Sequence, residues 1–187
     1  MPATKLMVIR HAEKPSEDGS VLGISESGGQ NPEELTAKGW QRAGALVRLF
    51  APLEGRFSDP RIATPDVLFA SAVAPQSKSL RPWHTILPLS RLLNKTIDLR
   101  HPKGDEIALV AAAIAAEGVV LIAWEHKAIP GIANQIVGNT TTCPQEWPGE
   151  RFDMVWIFDR SPGLDQWSFS QVPQRLLAGD QSDLFPQ

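Results

Sequence analysis

Short apolar runs alternate along this chain with segments in which apolar residues recur every three or four positions. The runs Lys5 to Ile9, Val67 to Ala70 and Val119 to Trp124 are too short for helices and end in polar residues, which predicts buried strands. Val119 to Trp124 is apolar throughout, as expected of a central parallel strand covered on both faces. Weaker patterns predict further strands at 97–99, 154–158 and 167–172.

Helical spacing fills the intervals between these runs. Thr36 is placed to cap a helix in which Trp40, Ala43, Val47 and Phe50 form one apolar stripe. Strands that alternate with helices indicate an α/β sandwich with a mostly parallel sheet and right-handed crossovers. We expect a single domain over residues 1–187, because the sequence shows no internal repeat and no linker.

Three later helices are predicted by their starting residues. Ser79 is a candidate N-cap for a helix that Pro88 should kink, and Asp105 is a candidate N-cap for the next helix. In that next helix Ile107, Val110 and Ile114 are expected on one apolar face. Pro130 fits the first turn of the last helix. The segment 21–34 has no period of either kind, so it is expected to be a surface loop that shapes or covers a site.

The composition excludes several classes of protein. The 187 residues are 42% hydrophobic and 21% charged with a net charge of −3, which is typical of a globular domain and not of a basic nucleic-acid binder. No apolar run approaches the roughly 20 residues that cross a bilayer, and residues 1–9 lack the apolar stretch of a signal peptide. We therefore expect a cytoplasmic protein without a membrane or nucleic-acid partner. Cys143 is the only cysteine, which excludes an internal disulfide.

Two of the predicted strands each deliver a histidine just past the C-terminal end. His11 follows the first strand and His126 follows the strand 119–124. In an open parallel sheet both side chains emerge at the edge where α/β folds usually bind ligands. Arg10 precedes the first histidine, and Arg81 is close enough to the second strand to return to the same edge. Two guanidinium groups suit a phosphoryl group, whose oxygens they can bind bidentately.

These residues carry a resemblance to a known family. Arg10-His11-Ala12-Glu13 resembles the Arg-His-Gly-Glu motif of the histidine phosphatase superfamily, which includes the phosphoglycerate mutases. Segment 35–43 is similar to the first-helix signature of that superfamily, segment 70–85 to its second-arginine segment, and segment 120–126 to the strand bearing its second histidine. The chain is most similar to small bacterial members that begin with Arg-His-Ala-Glu-Lys-Pro. The resemblance implies a three-layer α/β/α sandwich of the phosphoglycerate mutase-like type.

The resemblance also implies a chemistry that the residues can support. His11 would attack phosphorus and become transiently phosphorylated, after which water would release phosphate. Arg10, Arg81 and His126 would bind the phosphoryl oxygens, and Lys14 is a further candidate for phosphate binding. No cofactor or metal is expected, since the remaining histidines do not form a metal-binding spacing.

The sequence leaves the proton donor open among three carboxyl groups. Mutase-like relatives take the donor from the segment after the third strand, which here contains Asp105 and Glu106 but departs from their pattern. Other relatives have an Asp directly after the second histidine, where this chain has Lys127. We rank Glu106 and Asp105 first and Glu125 next. An N-cap role for Asp105 and a helix-dipole role for Glu106 are the structural alternatives.

The leading hypothesis is therefore a phosphomonoesterase that acts on a phosphorylated small molecule or a phosphoprotein. A phosphoglycerate-type mutase is the nearest alternative, although 187 residues leave little room for the insertions that such an enzyme usually has. A non-catalytic phosphate-recognition module is a third reading, consistent with the undetermined donor. The sequence does not indicate the substrate or the oligomeric state.

Overall fold

One mixed sheet organises the part of the chain that the structure describes. The computed structural model describes residues 2–161, 163 and 166–186. The strands are β1 Lys5–Arg10, β2 Val67–Ala70, β3 Ile97–Asp98, β4 Val119–Trp124, β5 Met154–Arg160 and β6 Trp167–Pro173. They form a six-stranded sheet in the order β3-β2-β4-β1-β5-β6. β1 to β4 run parallel, β5 is antiparallel to β1, and β6 is antiparallel to β5. The mostly parallel sheet that the sequence predicts is confirmed.

The helices lie in two layers, one on each face of the sheet. They are α1 Ala37–Phe50, α2 Arg81–Leu93, α3 Glu106–Ala115 and α4 Ile129–Val137, with a short 3-10 helix at Leu53–Gly55. Along β1, Met7 and Ile9 join the core formed with α1 and α2, whereas Leu6 and Val8 join the core formed with α3 and α4. This alternation follows from the period of two in a strand that is covered on both faces. The three-layer α/β/α sandwich is thereby confirmed.

The helix starts agree with the sequence at Thr36 and at Pro130, which lies in the first turn of α4, and differ at Ser79 and Asp105. Thr36 caps α1 as predicted, because its hydroxyl oxygen accepts a hydrogen bond from the backbone N–H of Gly39 at 3.1 Å. The cap predicted at Ser79 is wrong: α2 begins after Leu80, whose N–H donates to the carbonyl of Glu33 at 3.0 Å. α2 is continuous across Pro88.

α3 shows a second departure from the sequence prediction. Asp105 occupies the N-cap position, but its side chain makes no capping bond and instead accepts a hydrogen bond from Nδ1 of His101 at 2.9 Å. Val110 is buried and Ile114 packs against the core as predicted, but Ile107 is 77% exposed, and Leu109 and Ala113 are buried instead. α3 is apolar on almost every face, so the spacing of its apolar residues does not determine which face packs on the sheet.

The register of two neighbouring strands positions the candidate site. β1 and β4 pair in parallel with Arg10 opposite Trp124, so the residues that follow them leave the sheet side by side. The N–H of His11 continues this ladder by donating to the carbonyl of Trp124 at 2.9 Å. Among the described residues, no helix is both long enough and apolar enough to span a membrane.

Candidate active site

A small polar cavity opens at the carboxyl edge of the parallel strands. Its volume is about 290 Å³, and it is lined by His11 at the end of β1, Arg81 at the start of α2 and Glu125 at the end of β4. The rest of the lining is mostly polar and comes from Glu33, Ser71, Gln76, Ser77, Lys78, Ser79, Pro82 and Lys103. The cavity therefore combines one imidazole with several cations and hydroxyl groups.

His11 is held in a single tautomer by its own neighbour in the chain. Nδ1 lies 2.8 Å from the carbonyl oxygen of Ala12, and because a carbonyl oxygen only accepts, Nδ1 carries the proton. Burial lowers the pKa of His11 to about 3, and the nearby cations Arg10 and Arg81 act in the same direction. At neutral pH His11 is thus an uncharged imidazole whose Nε2 carries the free lone pair.

The guanidinium of Arg10 is buried without a carboxylate partner. Nη1 donates to the carbonyl oxygens of Gly149 at 2.5 Å and Arg151 at 3.0 Å, and the group lies 3.8 Å from the ring centroid of Phe152. Nε and Nη2 are buried and have no hydrogen-bond partner. Burial lowers the pKa of Arg10 to about 10, although the charges of Glu150 and Glu13 oppose the shift. The group stays cationic at neutral pH, and Arg10 lies behind the cavity surface, outside its lining.

Arg81 is oriented by the loop 21–34 that the sequence predicts to shape a site. Nη1 donates to the carbonyl of Pro32 at 3.0 Å and lies 4.0 Å from the carboxylate of Glu33, while Nε is buried without a partner. Burial lowers the pKa of Arg81, against the charges of Glu33 and Glu34. The carbonyl of Arg81 also accepts from Thr85 Oγ1, which itself accepts from the N–H of Ala12. The second arginine is thereby tied to the loop that carries His11.

His126 follows β4 directly after Glu125 but is not in the lining of the cavity that contains His11. It lines a separate pocket of about 330 Å³ together with Lys127 and Gly149, whose carbonyl is bound by Arg10. Burial lowers the pKa of His126 to about 4, and the charges of Arg10, Lys127 and other lysines add to the effect. Its Nδ1 is buried without a partner. His126 is therefore a neutral hydrogen-bonding group in the free protein and not a fixed cation.

The three candidate donors occupy different positions. Glu125 lines the cavity and is paired with Lys103 at 2.8 Å. Asp105 and Glu106 are not in its lining: Asp105 is bound to His101, and Glu106 accepts from the indole Nε1 of Trp124 at 3.0 Å. The arrangement favours the carboxyl that the sequence ranked last.

Lys14, which the sequence suggests for phosphate binding, is not in the cavity, and several residues that the sequence does not suggest are in it. Lys14 is outside the lining of the cavity and lies 3.8 Å from the carboxylate of Glu17. Glu33, Ser79 and Lys103 line the cavity although the sequence did not predict them there. Ser79 has a buried hydroxyl without a partner, and the polar segment after β2 is the signal that could have indicated it. Within the described part of the chain, no group of three or more His, Cys, Asp or Glu side chains is arranged to hold a metal ion.

A network of ion pairs and hydrogen bonds around Arg42 supports the loop that follows His11. Arg42 of α1 donates to both carboxylate oxygens of Glu13, to both of Asp180 and to the side-chain oxygen of Gln174. Glu13 follows His11 in the same loop, whereas Gln174 and Asp180 belong to the C-terminal segment. The network joins that segment to the loop and leaves the guanidinium of Arg42 with no free edge.

Comparison with known proteins supports the fold. No family model and no curated protein matches the sequence. The alpha-ribazole phosphatase from Shigella flexneri is 13% identical with a TM-score of 0.56, and the match covers 95% of this chain and 100% of that chain. A mycobacterial glucosyl-3-phosphoglycerate phosphatase is 15% identical with a TM-score of 0.55, covering 94% of this chain and 100% of the other.

A third solved structure is a histidine-to-alanine mutant of phosphoserine phosphatase from Entamoeba histolytica in complex with phosphoserine. It is 15% identical with a TM-score of 0.52, and the match covers 89% of this chain and 94% of that chain. These likenesses confirm the fold that the resemblance to the histidine phosphatase superfamily implies.

Proposed function

We propose that this protein is a phosphomonoesterase that transfers a phosphoryl group from a small polar ester to Nε2 of His11 and then to water. The observation that carries the proposal is the state of His11: it is neutral, fixed in one tautomer with its lone pair on Nε2, and part of the same cavity as Arg81. A nucleophilic imidazole needs this combination. The fold shared with several phosphatases supports the proposal.

Two buried arginines also support the proposal. Arg10 and Arg81 keep buried N–H groups without partners, which is costly unless a ligand completes them. A phosphoryl group has three oxygens that can accept these N–H groups, and His126 can contribute a further hydrogen bond. Donors that are already oriented stabilise charge as it develops, and one such donor contributes about 3–4 kcal/mol to lowering the barrier.

The proposed reaction has two steps, transfer of the phosphoryl group to His11 and its transfer to water. In the first, Nε2 of His11 forms a bond to phosphorus, the bond from phosphorus to the ester oxygen breaks, and Glu125 protonates the departing oxygen. In the second, Glu125 accepts a proton from water, the water oxygen bonds to phosphorus, and the bond to Nε2 breaks with release of phosphate. Glu125 is paired with Lys103 in the free protein. A phosphate dianion in the cavity competes with the carboxylate of Glu125 for the ammonium group of Lys103.

The lining of the cavity favours a small polar substrate. Its volume of about 290 Å³ is at the lower end of the range for ligand sites. Serine hydroxyls and two lysines face this space, which suits an ester with hydroxyl or acidic groups and offers little apolar surface for a lipid chain. We therefore place a phosphorylated metabolite ahead of a phosphoprotein. A panel of sugar phosphates, phosphorylated hydroxy acids and phosphopeptides tests this order, and preferential turnover of the phosphopeptides contradicts it.

The nucleophile is tested by covalent labelling. Wild-type protein mixed with a reactive phosphate ester is expected to form an acid-labile, base-stable phosphoenzyme, because a phosphoramidate has this stability. His11→Ala is expected to lose both the label and the turnover of p-nitrophenyl phosphate. Persistence of the label in that variant would exclude His11, and absence of turnover in the wild type would leave only phosphate recognition. With 3-phosphoglycerate, free phosphate is the expected product; 2-phosphoglycerate would indicate a mutase.

The donor is tested by dependence on the leaving group. Glu125→Gln is expected to slow hydrolysis of alkyl phosphates by about 10²–10⁴-fold, the usual contribution of a general acid. Activated aryl esters need little protonation, so their hydrolysis should change far less. Asp105→Asn and Glu106→Gln are the matched controls, since neither side chain lines the cavity. Equal losses on both ester types in the Glu125 variant would show that this carboxyl is not the donor.

A further inference from the structure

A second and larger cavity lies away from the catalytic one. Its volume is about 760 Å³, and its lining shares no residue with that of the catalytic cavity. It is formed by the last turn of α1, the segment 56–61 and the end of β6 with the residues that follow it. Four arginines face it, namely Arg48, Arg56, Arg61 and Arg175. We refer to this space as the arginine cavity.

The arginine cavity is strongly positive in a protein whose net charge is negative. Asp59 is its one acidic lining residue, and both of its carboxylate oxygens are bound by Arg61, at 2.9 and 2.7 Å. Arg56 lies 3.9 Å from the carboxylate of Glu54. Arg48 and Arg175 have no ion pair among the described residues. The formal net charge of the chain is −3, so this concentration of cations runs against the overall balance.

The backbone at Arg175 gives an independent indication. Arg175 has a φ of +52°, a left-handed conformation that residues with a Cβ adopt at a cost and that glycine adopts freely. The strained turn places an arginine, and not a glycine, in the wall of the cavity. Arg48 has a structural explanation in the last turn of α1, where a cation offsets the helix dipole. No such explanation applies to Arg175.

The floor of the same cavity is apolar. Leu49, Phe57, Val172, Leu176 and Leu184 contribute to its lining. A volume of this size with an apolar surface and a few convergent charged groups is typical of a site for a small organic ligand. A bare inorganic anion would use the arginines but leave the apolar surface in contact with water.

We propose that the arginine cavity binds an organic anion, in which an acidic group contacts the guanidinium groups and an apolar body covers the floor. The site is separate from the catalytic cavity, so the proposal is independent of the phosphatase reaction. The expected ligand therefore carries one acidic group on an aliphatic or aromatic body.

The experiment uses anilinonaphthalene sulfonate as the probe, since it joins an anionic group to an apolar ring system and fluoresces when bound. Titration of the folded wild type is expected to show saturable binding to one site per chain. The double variant Arg48→Gln, Arg175→Gly is expected to bind the probe about tenfold more weakly. Glycine at position 175 keeps the left-handed backbone while it removes the guanidinium, so this variant tests the charge without adding strain.

Matched controls separate the arginine cavity from other cationic sites. Arg100→Gln and Arg91→Gln remove exposed arginines elsewhere, and Arg81→Gln removes a cation of the catalytic cavity; all three should bind the probe as the wild type does. Octanoate is expected to displace the probe, whereas inorganic phosphate at equal concentration should not.

Three outcomes would overturn the proposal. The first is unsaturable binding to the wild type, and the second is an unchanged affinity in the double variant or equal losses in the controls. The third is displacement by inorganic phosphate as effective as that by octanoate, which would show an anion site without an apolar component. Turnover of p-nitrophenyl phosphate by the double variant should equal that of the wild type, which keeps this test distinct from failure of the catalytic proposal.

Discussion

Two buried arginines near the same loop differ in how their charges are completed. Arg10 is 1% exposed and Arg42 is 2% exposed, so both guanidinium groups are removed from water. Arg42 is bound by two carboxylates and an amide oxygen. Arg10 meets only backbone carbonyls and an aromatic ring, and two of its nitrogens have no partner. The charge of Arg42 is therefore compensated within the protein, and the charge of Arg10 is not.

The pKa values of these two groups move in opposite directions. Burial on its own lowers the pKa of an arginine, and at Arg10 this effect prevails and gives about 10. At Arg42 the hydrogen bonds that its guanidinium donates to Asp180 and Glu13 outweigh burial and raise the pKa. A buried cation without an anionic partner is therefore a candidate binding group, whereas a fully paired one has a structural role.

The largest expected effect is on stability, at Arg42. Arg42→Met leaves the carboxylates of Glu13 and Asp180 buried without their partner, which should lower the free energy of unfolding by about 3–5 kcal/mol. Arg10→Met removes bonds only to neutral carbonyls and is expected to lower it by about 1–3 kcal/mol. Urea unfolding of both variants measures the difference. An equal or larger loss at Arg10 would show that the two arginines have the same structural role.

The next effect is on catalysis, at Arg10. Arg10→Gln should lower kcat/KM for p-nitrophenyl phosphate by about 10²–10³-fold, the effect of removing one oriented donor from a transition state. Arg100→Gln, a change at an exposed arginine elsewhere, is the control and should retain full activity. If the Arg10 variant remained folded and kept more than about a tenth of the activity, Arg10 would not contact the phosphoryl group.

The smallest expected effect is on the pH dependence of stability, and it arises because the folded protein keeps His11 uncharged. Burial, assisted by Arg10 and Arg81, lowers its pKa in the folded protein to about 3, whereas an unfolded histidine titrates near 6.5. Between these values the unfolded chain binds the extra proton, so stability falls as the pH is lowered. His11→Asn should remove about 1–2 kcal/mol of this fall between pH 7 and pH 5. Parallel stability curves for wild type and variant would contradict the lowered pKa.

The sequence was most informative where one residue type has one local role. Thr36 precedes the apolar stripe of α1 and caps it, and the uninterrupted run at 119–124 forms the central strand β4. Ser79 and Asp105 are equally good cap residues by type, yet neither side chain caps a helix. Tertiary contacts decide both cases: the loop before α1 supplies the carbonyl of Glu33 to Leu80, and His101 binds Asp105.

The site could be predicted only in part, for a similar reason. The two histidines and Arg10 follow from strand ends, whose position the apolar runs determine. The ranking of Glu106 over Glu125 depended on a family pattern that this chain does not keep, and the indole of Trp124 binds Glu106 outside the cavity. Glu33 enters the lining from a loop without periodicity, so no local signal places it there.

The position of β1 in the sheet has a consequence for how the protein is made. β1 is complete at Arg10, but its two neighbours begin only at Val119 and Met154. At a synthesis rate of about 5–20 residues per second, several seconds separate the first strand from its partners. During that interval the apolar strand β1 has no sheet to join. Its later pairing is slow because its partners are far away in the sequence. The nascent chain therefore carries His11 from the beginning and acquires the buried surroundings of this imidazole only near the end of synthesis.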